Sequence, residues 1–275
     1  MRSPKRGPVA APWLLFYSRY AGFMDMNGDK LNPGAIIDLT NWAELENADG
    51  SAFPVTPAKL HDLTSGDFFK VTSSLSHLYH ALLNDGVVYS ATAPAFRYVA
   101  ALLGDRESRA ALTPPWDGDK FPLRGTLLSW LADVAFDVSI EHEQRIREWG
   151  GYSPTEPFPD FLNIRSIYPE AFPGVASYFD DLDPRVVEAA LVAAVRFLES
   201  PALAVHRGRL TFLLENVLAQ SSSERHRSLA SEALASWEQG RVLMEPFTDP
   251  HPSEEHGKDH RHSHGKQGSV DEPPF

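Results

Sequence analysis

The sequence predicts an all-α protein, an α-solenoid of stacked helix pairs that ends in a disordered tail. Three observations point there. Apolar residues recur at steps of three and four through most of the chain, the period of a helix with one buried face. The order helix, short break, helix occurs over 67–104 and again from 183 onward. No stretch shows the clear alternation of a half-buried strand.

Composition narrows the class. A chain of 275 residues has ample length for a core. Its formal net charge of −12 disfavours a general nucleic-acid binder, which needs a basic face. The absence of cysteine removes disulfides and thiolate metal sites. No apolar run approaches the roughly 20 residues that span a bilayer, so no membrane partner is expected.

Residues 1–40 read as an N-terminal extension. The apolar run Val9–Tyr17 is broken by Pro12 and no small-residue cleavage site follows, which reads against a signal peptide. Asp25, Asn27 and Asp29 have the oxygen spacing of a calcium loop. However, Gly28 stands at the fourth loop position instead of the sixth, and Ile36 stands where a bidentate Glu is needed. The segment is a polar turn.

A helical repeat domain is expected over 41–245. Asn41 can cap a short helix carrying Trp42 and Leu45, Asp49-Gly50 is a turn, and Thr56-Pro57 can open a helix through Leu60 and Leu63. Asp67 then begins a helix whose stripe is Phe68, Val71, Leu75, Leu78, Tyr79, Leu82 and Leu83. Asn84-Asp85-Gly86 is expected to end it, with Gly86 in the left-handed cap. Ser90 or Thr92 can cap the next helix, whose stripe is Phe96, Val99, Leu102 and Leu103 and whose stop is Gly104.

Residues 105–119 start as a short charged helix and end in a loop. Pro122 opens a long helix with Leu127, Leu128, Leu131, Val134, Ala135 and Val138 on its stripe, continuing toward Gly150-Gly151. Residues 152–179 carry five prolines and seven aromatics and read as a long loop. Asp183-Pro184 opens a strong helix with Val187, Leu191, Ala194 and Leu198. Ser200-Pro201 breaks it, a partner helix follows, and Ser221 with Glu224 forms a capping box for a third. Residues 246–275 are polar and nearly free of aliphatics, a disordered tail.

The run NWAELENADGSAFPVTPAKLHDLTSGD, followed by LYHALLNDGVVYSATAPAFRYVAALL, resembles the N-terminal region of a family of actinobacterial HEAT-repeat-like proteins. The matching residues are Trp42, Leu45, Leu78, Tyr79, Gly86, Val88, Tyr89, Ala91, Thr92 and Ala95. The resemblance implies an α-solenoid of stacked HEAT-like helix pairs and implies little chemistry.

No phosphate loop, nucleophile elbow or zinc-protease motif occurs. His77 and His80 lack a third ligand at a fitting spacing and read as hydrogen-bonded histidines bordering the stripe. Glu141-His142-Glu143 and His206-Arg207 read as solvated helix faces. The histidines of the tail, His256, His260, His262 and His264, are weak metal candidates only.

The expected function is therefore binding without catalysis or cofactor. A monomeric, cytoplasmic interaction, regulatory or immunity-type protein is expected to use stacked helices to hold a protein partner, a basic one given the acidic charge. The candidate contacts are Tyr89, Ser90 and Thr92 at a bend suited to anions, and Tyr152, Phe158 and Phe161 in the aromatic stretch. The alternative class is an enzyme, a HEAT-like DNA glycosylase or a chromophore lyase.

Overall fold

Four helices close a ring around one aromatic cluster in a computed structural model that describes residues 32–106, 108, 112, 122–150, 159–217 and 221–238. These residues belong to one unit, Met1–Arg241. Ten α-helices occur among them: α1 Pro33–Leu39, α2 Val55–Asp62, α3 Phe68–His80, α4 Thr92–Gly104 and α5 Leu123–Asp137 come first. Then follow α6 Ile140–Gly150, α7 Asp160–Ala176, α8 Pro184–Phe197, α9 Arg207–Val217 and α10 Glu224–Glu238. Short 3-10 turns run over Trp42–Glu44 and Pro201–His206. The chain is all-α apart from two minimal antiparallel ribbons, β1 Glu46–Asn47 with β2 Gly50–Ser51 and β3 Leu83–Asn84 with β4 Val87–Val88. The calcium-like turn before Asn32, the residues Tyr152 and Phe158 and the whole His-rich tail lie outside the described residues.

Local chemistry sets the strongest helices. Asp67 accepts from the amides of Phe69 and Lys70, and Asp183 accepts from that of Arg185 ahead of Pro184. Both satisfy N–H groups that a helix start leaves without partners. The stripe of α5 is buried as the periodicity predicts, with Leu127, Leu128, Leu131, Val134 and Val138 all sealed from water.

The ring runs α4, α7, α8, α5 and back to α4. Each helix contributes one large ring to its centre. Phe96 of α4 lies 6.3 Å from Trp130 of α5, 6.1 Å from Tyr168 of α7 and 5.7 Å from Phe197 of α8. Tyr168 and Phe197 stack at 4.7 Å. Such pairs add to the burial of their area. Phe96 of α4 and Phe197 of α8 meet across the centre, so all four helices share one core.

The same aromatics serve helix ends. The last carbonyls of a helix have no intrahelical donor. Trp130 Nε1–H donates to Leu78 O in the last turn of α3, and Tyr178 Oη–H donates to Leu103 O in that of α4. Tyr168 Oη–H reaches Ala135 O near the end of α5.

Several expectations change. The helix from Asp67 stops at His80, and Leu83–Val88 forms a hairpin. Asp85 and Gly86 both have positive φ, 51° and 79°, as a two-residue hairpin turn with matching twist requires. Gly86 is thus a turn residue and not a helix cap. The long helix from Pro122 breaks at Val138-Ser139, where Ser139 Oγ accepts from His142 N–H and starts α6. The stretch read as a loop contains α7, with Pro169 and Pro173 inside the helix. Its stripe, Phe161, Ile164, Tyr168, Phe172 and Val175, is buried deeply enough to hold a helix that its prolines weaken. Glu143 is not solvated but buried beside Arg165, while His206 is half-buried and stacks on Phe172 at 4.4 Å. At the start of α10, Ser223 Oγ accepts from His226 N–H, so the capping serine is Ser223 and not Ser221.

Candidate functional site

The break at Val138-Ser139 folds α6 back beside the end of α5. Glu199 accepts from the Ile140 amide at 3.1 Å, Arg165 Nη2 lies 2.8 Å from Glu143, and Arg165 Nε donates to Val138 O. These contacts tie α6 to α7 and α8. On the other side, Glu188 of α8 holds Ser221 Oγ at 2.9 Å and His226 Nδ1 at 3.0 Å, which anchors the start of α10. Between α5, α6, α8 and α10 a cleft of about 460 Å³ remains.

Phe136 forms its floor. The guanidinium carbons of Arg196, Arg145 and Arg225 lie 4.9, 5.5 and 5.6 Å from the ring centroid. His142 packs edge-on at 5.7 Å. An aromatic face attracts cations, which explains how three like charges converge on it. Two carboxylates moderate the repulsion. Glu141 is 3.2 Å from Arg145 and 3.6 Å from Arg196, and Asp133 is 3.7 Å from Arg225. Glu232 completes the acidic side of the lining.

The cleft is partly desolvated. Burial, and then the Arg145 charge, lower the pKa of His142, which favours the neutral ring. One turn on from Asp133 but outside the cleft lining, beside Gly86, Asp137 is pushed up to about 6, first by burial and second by the Asp133 charge. Burial likewise raises Asp133, against the pull of Arg225.

The described candidates read from sequence, Tyr89, Ser90, Thr92 and Phe161, fall elsewhere. Thr92 Oγ donates to Leu82 O at 2.6 Å and accepts from Tyr89 N–H at 2.9 Å, while Ser90 Oγ accepts from Glu46 N–H. Thr92 knits the hairpin to α4, Ser90 ties the bend to β1, and neither hydroxyl caps α4. Tyr89 is half-buried beside them. Phe161 is buried in α7 and offers no ring to a partner. His77 is held in a buried chain with Thr56 and Asn47, through contacts of 2.9 and 3.2 Å, as the hydrogen-bonded reading expects. Among the described residues no group of three or more His, Asp or Glu is placed to hold a metal, and no helix is long and apolar enough to cross a membrane.

Phe136, Arg145, Arg196 and Arg225 were not singled out by sequence. The available signals were Arg196 inside the apolar run Val195–Leu198 and the Glu141/Arg145 pair one helical turn apart.

Comparison of the chain with protein-family models, with curated proteins and with solved structures finds no match.

Proposed function

We propose that this chain is a non-catalytic binding protein and that the cleft over Phe136 seats part of a protein partner. The observation that carries this is the convergence of three guanidiniums on one aromatic floor. Arginine and aromatic side chains in a recessed, partly dry setting are the residues that dominate binding energy at interfaces. The proposed architecture is the α-solenoid of HEAT-like helix pairs that the resemblance over 41–103 implies, with the cleft on its surface. The proposed setting is cytoplasmic, and the protein acts as a monomer. An acidic chain suits a basic partner overall, yet this cleft offers arginines, so the partner presents acceptors here.

Asp137 favours a second reading. A carboxyl held near 6 beside a second carboxylate is suited to proton transfer. It is the starting point for an enzyme of the glycosylase or lyase class.

Capture from the native lysate, with nucleic acid digested, tests the first reading. The wild type is compared with the Arg145→Glu/Arg225→Glu protein. One protein enriched by the wild type and lost from the folded variant supports it. Identical profiles, or enrichment of nucleic acid alone, overturn it.

A further inference from the structure

The cleft carries equal numbers of arginines and carboxylates in its lining, so net charge does not decide what it takes. Its hydrogen-bond capacity does. Each guanidinium has five N–H donors and no acceptor. Among the described residues, Arg145 to Glu141 at 3.2 Å is the one contact of these three arginines within hydrogen-bond range. Arg196 at 3.6 Å and Arg225 at 3.7 Å are ion pairs without a hydrogen bond. Arg145 Nε is sealed from water and has no acceptor. A buried donor without a partner is a standing penalty that an incoming acceptor relieves.

Backbone geometry adds to this. Glu141 and Arg145 lie in the first turns of α6, and Arg225 and His226 in the first turn of α10. Two helix N-termini, the positive ends of their dipoles, therefore border one cleft. Glu141 offsets part of that field, but it stands 55% exposed at the rim, while Arg196 is 15% exposed against the floor.

We propose that the cleft is an oxyanion site in which Arg145, Arg196 and Arg225 hold a carboxylate or phosphate against the Phe136 edge. This rests on reading the cleft as the binding surface and names its chemistry. A bidentate oxyanion on Arg225 and Arg145 supplies the short, charge-assisted hydrogen bonds that these side chains lack. The acidic balance of the whole chain acts at longer range and is screened beyond about 8 Å at physiological salt.

The test is an NMR titration of the whole chain, following the arginine Nε–H signals and the Trp130 indole signal. The probes are tetraglutamate, tetraglutamine and inorganic phosphate. Saturable shifts of the Arg145, Arg196 and Arg225 signals with tetraglutamate or phosphate, and none with tetraglutamine, are expected. Tighter binding of tetraglutamate identifies a peptide source, and tighter binding of phosphate a free anion. Arg225→Gln and Arg145→Gln each weaken binding on the order of tenfold, with the Trp130 signal unmoved. Absence of saturable shifts, or wild-type affinity in both variants, overturns the oxyanion site. If anions bind but the lysate capture ignores the arginines, the protein-binding reading fails and the oxyanion site stands. If capture depends on the arginines and no anion binds, the surface is right and its assigned chemistry is wrong.

Discussion

The indole N–H of Trp130 on α5 donates to the carbonyl of Leu78 in the last turn of α3, at 3.0 Å and fully out of water. One side chain thus fills the core and completes a helix end far away in sequence. Trp130→Phe keeps an aromatic ring and leaves the Leu78 carbonyl without a donor. A loss of about 1–3 kcal/mol in urea unfolding is expected. Trp130→Ala also opens a cavity and costs about 3–5 kcal/mol. A Phe variant as stable as the wild type means that the hydrogen bond contributes nothing.

The crossing of α4 and α7 depends on two glycines. A Cβ at Gly174 would lie 2.8 Å from Ala100 O and 3.3 Å from Gly104 N, both backbone atoms that cannot swing away. Gly174→Ala is expected to push the helices apart and cost about 1–3 kcal/mol. Gly208 in α9 faces open space, so Gly208→Ala is neutral or stabilising by up to about 1 kcal/mol. Thermal melts of the pair decide this, and equal melting temperatures contradict the close crossing.

At the hairpin, Thr92 is the residue expected to matter most. Thr92→Val keeps the shape but leaves Leu82 O and Tyr89 N–H without their partner, a loss of about 2 kcal/mol. Gly86→Ala forces a side chain to φ +79° and costs about 1 kcal/mol. Half-buried Tyr89 costs less than either when changed to Ala. Urea midpoints in another order contradict this reading of the bend.

Periodicity made α3, α4, α5 and α8 legible, because each carries an apolar stripe and an identifiable cap or stop, although α4 and α5 are buried on nearly every face. It hid α7. Pro169 and Pro173 each remove a helix hydrogen bond, and their weight in the composition masked the stripe from Phe161 to Val175. The ring of four helices was not legible either. A stripe says which face is buried and nothing about which distant helix covers it. The site was hidden for the same reason: Phe136, Arg145, Arg196 and Arg225 sit on α5, α6, α8 and α10, and only tertiary packing brings them together. Thr92 was legible as a polar residue at the bend, but its acceptor, Leu82 O, was assigned to the wrong element.

Stability should respond to pH through Asp137. Its folded pKa of about 6 lies above the ordinary carboxyl value of 3.8, so the protonated form is the one that the fold favours. Its contribution is fully present below about pH 4 and is lost as pH rises through 6. Asp137→Asn is therefore expected to stabilise by about 1 kcal/mol at pH 8, after discounting for solvent screening of a half-buried group, and to be neutral at pH 4. A gain of equal size at both pH values contradicts the shift.

We propose the cleft over Phe136 as the surface that holds a partner. Site-specific photocrosslinking in the native cell tests it most directly. One photoreactive side chain replaces Ser228, exposed on the α10 wall of the cleft, and another replaces Ser76, exposed on α3 away from it. One discrete protein adduct is expected from position 228, lost when Arg145→Glu and Arg225→Glu are added, and none from position 76. Adducts from position 76 alone, or a 228 adduct indifferent to the arginines, would contradict it.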